Sequence, residues 1–171
     1  MEKVIYLITG VMASGKSTVA ELLASKLEKA VHLRGDIFRR MIVSGREDMS
    51  AEPSEEAVRQ LYLRYRLAAN ASKTYYENGF SVVLQDNYYG GELVYMMEEL
   101  KDYPVQLVVL CPKVEVVKER EKSRGKVGYS GFMVENLYSD FLRETPQIGF
   151  WLDSSEQSPE QSVNDILLHF R

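Results

Sequence analysis

The sequence predicts an α/β fold in which helices cover both faces of a parallel β-sheet, giving three layers. Short apolar runs rich in β-branched residues recur along the chain, and such runs are typical of strands buried on both faces. Between them lie longer segments whose apolar residues recur every three or four positions, as they do along one face of a helix. This alternation predicts parallel pairing, because each helix carries the chain back to the start of the next strand.

The predicted strands are short and end at residues that stop a strand. The first, residues 4–8, is closed by Thr9 and Gly10, and the fourth, residues 105–110, ends at Cys111 and Pro112. The same apolar pattern predicts further strands at residues 30–33, 80–84 and 150–152.

The predicted helices have recognisable ends. Residues 16–29 carry one apolar stripe, and residues 53–78, the longest helical pattern, end at the stop signal formed by Asn78 and the glycine after it. The last helix begins after Ser158, where a proline at the first helical position and Gln161 complete a capping box. Further helices are predicted at residues 36–43, 92–101 and 113–121, with a weaker one ending at residue 145.

The composition excludes several classes of protein. With 171 residues, 45% of them apolar and 27% charged, the sequence is typical of a soluble globular protein, and we interpret 1–171 as one domain. The net charge of −4 provides no general attraction to nucleic acid or to an anionic membrane. A single cysteine excludes an intramolecular disulfide, and two histidines are too few for a multi-histidine zinc site. The N-terminal apolar run is too short for a signal peptide, so we expect a cytoplasmic protein.

A phosphate-binding loop follows the first predicted strand. Residues 10–17 match the pattern G-x-x-x-x-G-K-[S/T] at every required position, between a strand and a helix. In this arrangement backbone N–H groups surround phosphate oxygens, Lys16 reaches the β- and γ-phosphates, and the Ser17 hydroxyl can bind magnesium. We therefore predict binding of ATP with Mg²⁺. The residues expected to contact the nucleotide are Gly10, Val11, Met12, Ala13, Ser14, Gly15, Lys16, Ser17 and Thr18.

Two aspartates follow predicted strands, at the edge of the sheet where ligands bind in parallel α/β folds. Asp86 ends the third strand, where a carboxylate could hold magnesium or one of its water ligands, or could simply cap the next turn. Asp36 follows the second strand after Arg34 and Gly35. It could accept the proton of an attacking hydroxyl, or it could cap the helix that begins at Ile37. Asp36 is therefore a candidate general base and Asp86 a candidate metal ligand.

A segment rich in glycine and basic residues, at about residues 122–131, predicts a short lid. Arginines that close over a transferring phosphoryl group can stabilise the negative charge on its oxygens. Arg120, Arg124 and Lys126 lie at the end of a predicted helix and in this segment, and the two arginines are candidate catalytic residues. The alternative is a solvated basic loop whose charges pair with neighbouring glutamates.

Several polar and aromatic side chains belong to segments predicted to lie at the carboxyl ends of the strands. They are candidates for contacting the phosphate acceptor, although ordinary packing of a loop or helix surface explains each position equally well. These candidates are Arg39, Arg40, Tyr62, Arg66, Tyr88 and Tyr89.

Taken in order, these motifs resemble the P-loop small-molecule kinases, most closely the chloramphenicol phosphotransferase-like group that includes zeta-toxin-type kinases. The similarity covers nearly the whole chain. It comprises the phosphate loop and residues 33–36, 86–91, 120–125 and 151–155. The resemblance implies the three-layer P-loop kinase fold, with a five-stranded parallel sheet in the order 2-3-1-4-5 and ATP with Mg²⁺ as cofactors. It also implies Asp36 as general base, Lys16 and Arg124 on the transferring phosphate, and Arg120 near adenine.

The predicted function is transfer of the γ-phosphate of Mg-ATP to a hydroxyl of an unidentified small molecule. We expect a monomer or homodimer that binds neither nucleic acid nor membrane. Residues 35–39 also resemble the G-D-x-x-R stretch of adenylate kinases, so a nucleoside monophosphate kinase is an alternative, but the G-[FY]-P-R stretch of those enzymes is missing. A slow nucleotide-hydrolysing switch or binding module is a further alternative, although no N-K-x-D or D-x-x-G element is present. A polynucleotide 5′-kinase would need a basic track that the net charge does not supply.

Overall fold

The central sheet consists of β1 (Ile5–Gly10), β2 (Ala30–Arg34), β3 (Ser81–Gln85), β4 (Val105–Leu110) and β5 (Phe150–Leu152). The structure is a computed structural model, and it describes residues 2–124 and 131–171. The strands lie in the order β2-β3-β1-β4-β5, and every neighbouring pair is parallel. The predicted strand order and parallel pairing are confirmed.

The helices agree with the predicted ones apart from their ends. In the described part of the chain they are α1 (Lys16–Ser25), α2 (Asp36–Arg40), α3 (Glu55–Glu77), α4 (Gly91–Glu99), α5 (Val114–Ser123), α6 (Gly131–Glu144) and α7 (Pro159–His169). α1 ends earlier than predicted because the chain turns after Ser25 to begin β2 at Ala30. α3 begins later because Ser54 is its N-cap, and the Ser54 hydroxyl accepts a hydrogen bond of 3.0 Å from the backbone N–H of Ala57.

Two apolar clusters lie on opposite faces of the sheet. Side chains alternate along β1, so Ile5 and Leu7 point to one face and Tyr6 and Ile8 to the other. The first face packs against α3 and α4, whose buried residues include Tyr65, Ala68, Leu93 and Met96. The second packs against α1 and α7 through Val19, Leu23, Val163 and Ile166. Helices therefore cover both faces, as the sequence predicts.

The parallel register aligns the ends of β1, β2 and β3 along one edge, called the carboxyl edge below. Ile8 of β1 is paired with Gln85, and Gln85 is also paired with Arg34 of β2. The phosphate loop after β1, Asp36 after β2 and Asp86 after β3 consequently leave the sheet side by side. This edge is the place where parallel α/β sheets bind their ligands.

The predicted lid falls largely outside the described residues. α5 ends at Ser123 and α6 begins at Gly131, and residues 125–130, which include Lys126, lie outside the described ranges. The lid therefore stays a prediction. Among the described helices, none combines the length and the apolar character needed to cross a membrane.

Shortening a side chain in the central strand should destabilise the fold. Leu7 is fully buried between β3, β4 and the α3–α4 layer. We expect Leu7→Ala to lower the free energy of unfolding by about 2–5 kcal/mol, because the substitution removes buried methyl groups and leaves a cavity. Urea denaturation measures this loss.

Leu168→Ala is the matched control, because Leu168 of α7 is 59% exposed and its truncation should change the free energy of unfolding by no more than about 0.5 kcal/mol. Equal effects of the two substitutions would contradict the central position of β1.

Candidate active site

The phosphate loop is held tightly against the end of β4. The backbone N–H of Val11 donates to the carbonyl of Leu110 at 3.2 Å, and a Cβ atom on Gly10 would collide with that same carbonyl. Gly15, at the last position before α1, has a φ of +87°, a left-handed conformation that glycine adopts without strain. The two glycines of the motif are therefore required by geometry, as the sequence pattern predicts.

The side chain of Lys16 folds back over the loop that carries it. Its Nζ donates hydrogen bonds to the carbonyl oxygens of Gly10 at 3.2 Å and Val11 at 3.1 Å. Burial lowers the pKa of Lys16 to about 8; the carboxylate of Asp86 opposes this shift, and the charge of Arg124 adds to it. The amine thus lies among carbonyl oxygens and within electrostatic reach of both residues, and with a pKa of about 8 it is mostly protonated at neutral pH.

The Ser17 hydroxyl lies beside a side chain that the sequence analysis did not single out. Nε2 of Gln85 donates to the Ser17 Oγ at 3.1 Å. The described residues contain no cluster of three or more histidine, cysteine or acidic side chains that could hold a metal. Mg²⁺ bound with a nucleotide usually keeps several waters and takes most of its other ligands from phosphate. The donor set fits such an ion, with Ser17 as the protein ligand in direct reach.

Asp86 forms a buried ion pair with Arg64 of α3. Nε of Arg64 donates to Asp86 Oδ2 at 2.7 Å, and Nη2 donates to Oδ1. Oδ1 also accepts the backbone N–H of Asn87 at 2.7 Å. The Asp86 side chain is 3% exposed and that of Arg64 11%. The carboxylate that the sequence suggests as a metal ligand is therefore occupied by a guanidinium group, and removing either partner of such a pair costs about 3–5 kcal/mol.

Asp36 is surrounded by three arginines. Its Oδ1 accepts a hydrogen bond from Nε of Arg39 at 2.9 Å and lies 3.6 Å from Nη1 of Arg64, and its Oδ2 accepts one from Nε of Arg40 at 2.8 Å. Partial burial raises the pKa of Asp36, but the hydrogen bond from Arg39 and the three positive charges outweigh it and hold the pKa below its ordinary value. Asp36 is thus an ionised carboxylate at neutral pH, and its side chain remains 35% exposed.

Arg120, in α5, and Arg124, directly after the end of α5, lie close to the phosphate loop. Nη1 of Arg120 donates to the carbonyl oxygen of Ala13 at 3.2 Å. Arg124 pairs with Glu121 at 3.0 Å, and its charge reaches Lys16. The structure therefore brings both predicted arginines to the loop, although neither contacts Lys16 directly.

The remaining acceptor candidates lie in different environments. Tyr88 is fully buried, and its ring packs on Tyr65 with centroids 5.0 Å apart, so a direct contact with an acceptor does not fit its position. Tyr62 packs on Tyr65 and Tyr95, and Tyr89 packs on Phe141. Arg66 is exposed on α3, and Arg39 and Arg40 lie at Asp36. Tyr88 follows a strand end, as predicted, but its backbone bonds to Thr9 and turns the ring inward.

Arg64 and Gln85 are the site residues that sequence reasoning missed. Arg64 lies within the longest helical pattern. Nothing in the sequence indicates that it pairs with Asp36 and Asp86, which follow two different strands. Gln85 directly precedes Asp86. The apolar pattern of β3 shows where the strand ends, but it does not show which of these two side chains faces Ser17.

Comparison with known proteins identifies the family and the fold of this chain. The profile of the AAA domain family matches residues 5–138. No curated protein sequence matches the chain significantly. Among solved structures, the chain is similar to the tunicamycin resistance protein of Deinococcus radiodurans, with 20% identity, a TM-score of 0.76 and coverage of 99% of this chain and 96% of that one.

Two kinase structures show the same fold with similar sequence identity. A sugar kinase from Janibacter sp. is 19% identical, with a TM-score of 0.68 and coverage of 98% of this chain and 94% of that one. Shikimate kinase from Acinetobacter baumannii is 17% identical, with a TM-score of 0.64 and coverage of 98% and 92%. The similarity to P-loop small-molecule kinases inferred from the motifs is confirmed at the level of family and fold. The chain belongs to the AAA domain family and has the P-loop kinase fold.

Proposed function

We propose that this protein is an ATP-dependent phosphotransferase that moves the γ-phosphate of Mg-ATP to a hydroxyl of a small molecule. The observation that carries the proposal is the position of Asp36. This ionised carboxylate follows β2, whose end lies beside the end of β3 and Asp86, and β3 lies beside β1, which leads into the phosphate loop. A phosphate-binding loop alone would suit a hydrolase or a switch. A partly exposed carboxylate at the same edge supplies a group that can receive the proton of an acceptor hydroxyl.

The residues of this chain divide the work of the proposed reaction. The backbone N–H groups of the phosphate loop and the ammonium group of Lys16 hold the β- and γ-phosphates. Ser17 would hold Mg²⁺, which when bound neutralises negative charge on the phosphates. Asp36 orients the acceptor hydroxyl and takes its proton as the new phosphorus–oxygen bond forms, while the bond between the γ-phosphorus and the bridging oxygen breaks and ADP leaves. Because its pKa is lowered, the Asp36 carboxylate is ionised at neutral pH and is in the form that can accept this proton.

Arg120 and Arg124 are proposed to act on the nucleotide. Arg120 is held on the carbonyl of Ala13 and lies on the loop side of α5, which supports a role near the nucleotide base. Arg124 acts electrostatically on Lys16 and so lies in range of the same phosphates. Binding of a polyanion between these cations would offset their mutual repulsion, and each positive charge would stabilise the transferring phosphoryl group.

The surroundings of Asp36 favour an acceptor with both polar and apolar parts. Arg39 and Arg40 provide hydrogen-bond donors beside the carboxylate, and Ile37 and Met41, four residues apart, are both exposed there. The names of the structural neighbours, a sugar kinase, a gluconokinase and a shikimate kinase, support a hydroxyl compound as acceptor.

A melting screen with Mg-ADP present should find the acceptor class. Metabolites, antibiotics and nucleoside monophosphates form the panel. A compound present at about 100 times its dissociation constant stabilises the protein by about 2.7 kcal/mol, which is a shift of several degrees in a domain of this size. Stabilisation only by nucleoside monophosphates would instead assign a nucleoside monophosphate kinase. ADP release that no compound accelerates would favour the slow hydrolytic switch.

Asp36→Asn should separate nucleotide binding from phosphoryl transfer. The amide keeps the shape of the side chain but cannot accept the proton, so we expect kcat with the identified acceptor to fall roughly 10²–10⁴-fold. The affinity for Mg-ATP should remain close to that of the unaltered protein, because Asp36 does not belong to the phosphate loop. Coupled detection of ADP and calorimetry measure the two quantities.

Asp48→Asn is the control for this substitution, since Asp48 also pairs with Arg39 but is not proposed to touch the acceptor. Unchanged turnover of Asp36→Asn would remove Asp36 from the mechanism.

Nucleotide affinity should depend on pH through Lys16. Without nucleotide the pKa of Lys16 is about 8, and bound phosphates should raise it because they stabilise the ammonium form. Affinity for the non-hydrolysable β,γ-imido analogue of ATP should therefore be level below pH 8 and fall above it, by at most about tenfold per pH unit. Between the two pKa values, binding takes up a proton.

Calorimetry in buffers of different ionisation enthalpy measures this proton uptake. Lys16→Met should bind weakly and show no uptake in the same pH range. Equal uptake by the methionine variant would assign the titration to another group.

A further inference from the structure

Three charged side chains form a continuous chain across the carboxyl edge, from Asp36 through Arg64 to Asp86. Nη1 of Arg64 lies 3.6 Å from Asp36 Oδ1, while its Nε and Nη2 bind the two oxygens of Asp86. We infer that Arg64 and Asp86 are positioning residues for Asp36, and that Asp86 acts through Arg64 and not on the metal. This inference rests on the proposed function of Asp36 as the group that receives the acceptor's proton.

Asp36 needs a contact from outside its own helix to be fixed. It begins α2, a helix of 5 residues in which no residue is fully buried. Of the described partners of its carboxylate, Arg39 and Arg40 belong to α2 itself, and they move with it. Arg64 belongs to α3, so it is the partner that ties the carboxylate to the body of the domain.

Asp86 holds Arg64 in the orientation that reaches Asp36. The bidentate contact fixes the plane of the guanidinium group, and burial of both side chains removes competing water. Asp86 is itself fixed by the Asn87 N–H, and a Cβ atom on Gly35 would collide with its Oδ2, so β2 and β3 touch at this point. The position of the carboxylate is therefore set by the sheet.

The loop after Asp86 is tied to β1, which carries the phosphate loop. The hydroxyl of Thr9 donates to the carbonyl of Tyr88 at 3.0 Å and accepts the Tyr88 N–H at 3.0 Å. Thr9 directly precedes the first residue of the phosphate loop. A chain of direct contacts thus runs from the phosphate loop to Asp86, Arg64 and Asp36. These contacts fix the proposed base, Asp36, relative to the phosphate group that would be transferred.

The contacts of Ser17 argue against Asp86 as the residue beside the metal. The side chain that meets the Ser17 hydroxyl is Gln85, at 3.1 Å, while both oxygens of Asp86 already accept hydrogen bonds from Arg64. The two neighbouring residues at the end of β3 therefore have separate tasks. Gln85 faces the phosphate side, and Asp86 faces the acceptor side.

A double-mutant cycle tests whether Asp86 acts through Arg64. The variants are Asp86→Asn, Arg64→Gln and the two combined, and the assay is release of ADP from Mg-ATP with water as acceptor. We expect each single substitution to lower kcat by at least about tenfold, with the half-saturating Mg²⁺ concentration unchanged within about twofold. The double variant should be no slower than Arg64→Gln alone, within about twofold, because residues that act as a unit are not additive.

Two results would overturn the inference. A double variant slowed by the product of the single effects would mean that the residues act independently. A half-saturating Mg²⁺ concentration raised about tenfold or more in Asp86→Asn would assign Asp86 to the metal. Arg59→Gln is the matched control, because Arg59 is an exposed arginine of the same helix that pairs with Glu56, and its turnover should not change. If Arg64→Gln melts below the assay temperature, Arg64→Lys replaces it, since lysine keeps the charge but not the bidentate contact.

A spectroscopic measurement decides the inference without turnover. The ¹³C carboxyl resonance of Asp36, assigned with Asp36→Asn, is recorded without nucleotide. Asp86→Asn should shift this resonance in the otherwise unaltered protein and leave it in place in the Arg64→Gln background. A resonance that Asp86→Asn does not move would contradict the inference. Absence of ATP turnover in the unaltered protein, both with water and with every compound of the panel, would defeat the proposed function alone, because the resonance still reports whether Asp86 and Asp36 are linked.

Discussion

Parallel pairing of β1 with its two neighbours determines where each group of the candidate site lies. β1 is buried along its whole length, between β3 and β4, and its last residue lies against the carbonyl of Leu110. The phosphate loop must therefore leave the sheet at the centre of the carboxyl edge. Because β3 and β2 run parallel beside it, the residues that end those strands, Gln85 and Arg34, lead their chains out next to the loop.

Charge pairing then decides what these strand ends can do. An arginine and an aspartate that are almost fully buried, Arg64 and Asp86, satisfy each other, since either charge alone would be costly away from water. The Asp36 side chain is more exposed, and its partner Arg39 is also in contact with solvent. The buried pair therefore gives a fixed frame, while the exposed carboxylate remains open to a ligand. Ser17 and Gln85 meet at the phosphate loop, apart from Arg39 and Arg40, which pair with Asp36.

Much of the fold could be predicted because its signals are local. The apolar runs of the strands, the capping box at Ser158 and the consecutive residues of the phosphate loop are all complete within a few positions. Asp36 could be found for the same reason, as a carboxylate that follows a strand. The acceptor side could not be predicted in this way. Tyr88 follows a strand end too, yet its backbone binds Thr9 and its ring is buried.

The sequence by itself determined the three-layer α/β fold, the phosphate loop and the strand ends where chemistry can occur. Only the tertiary structure decided that Gln85 meets Ser17 and that Arg64, 22 positions before Asp86, joins that carboxylate to Asp36. The physical reason is the range of the forces involved. Strand, helix and loop signals depend on neighbours along the chain, whereas a buried ion pair forms between whichever charges the packed sheet and helix bring within a few ångströms.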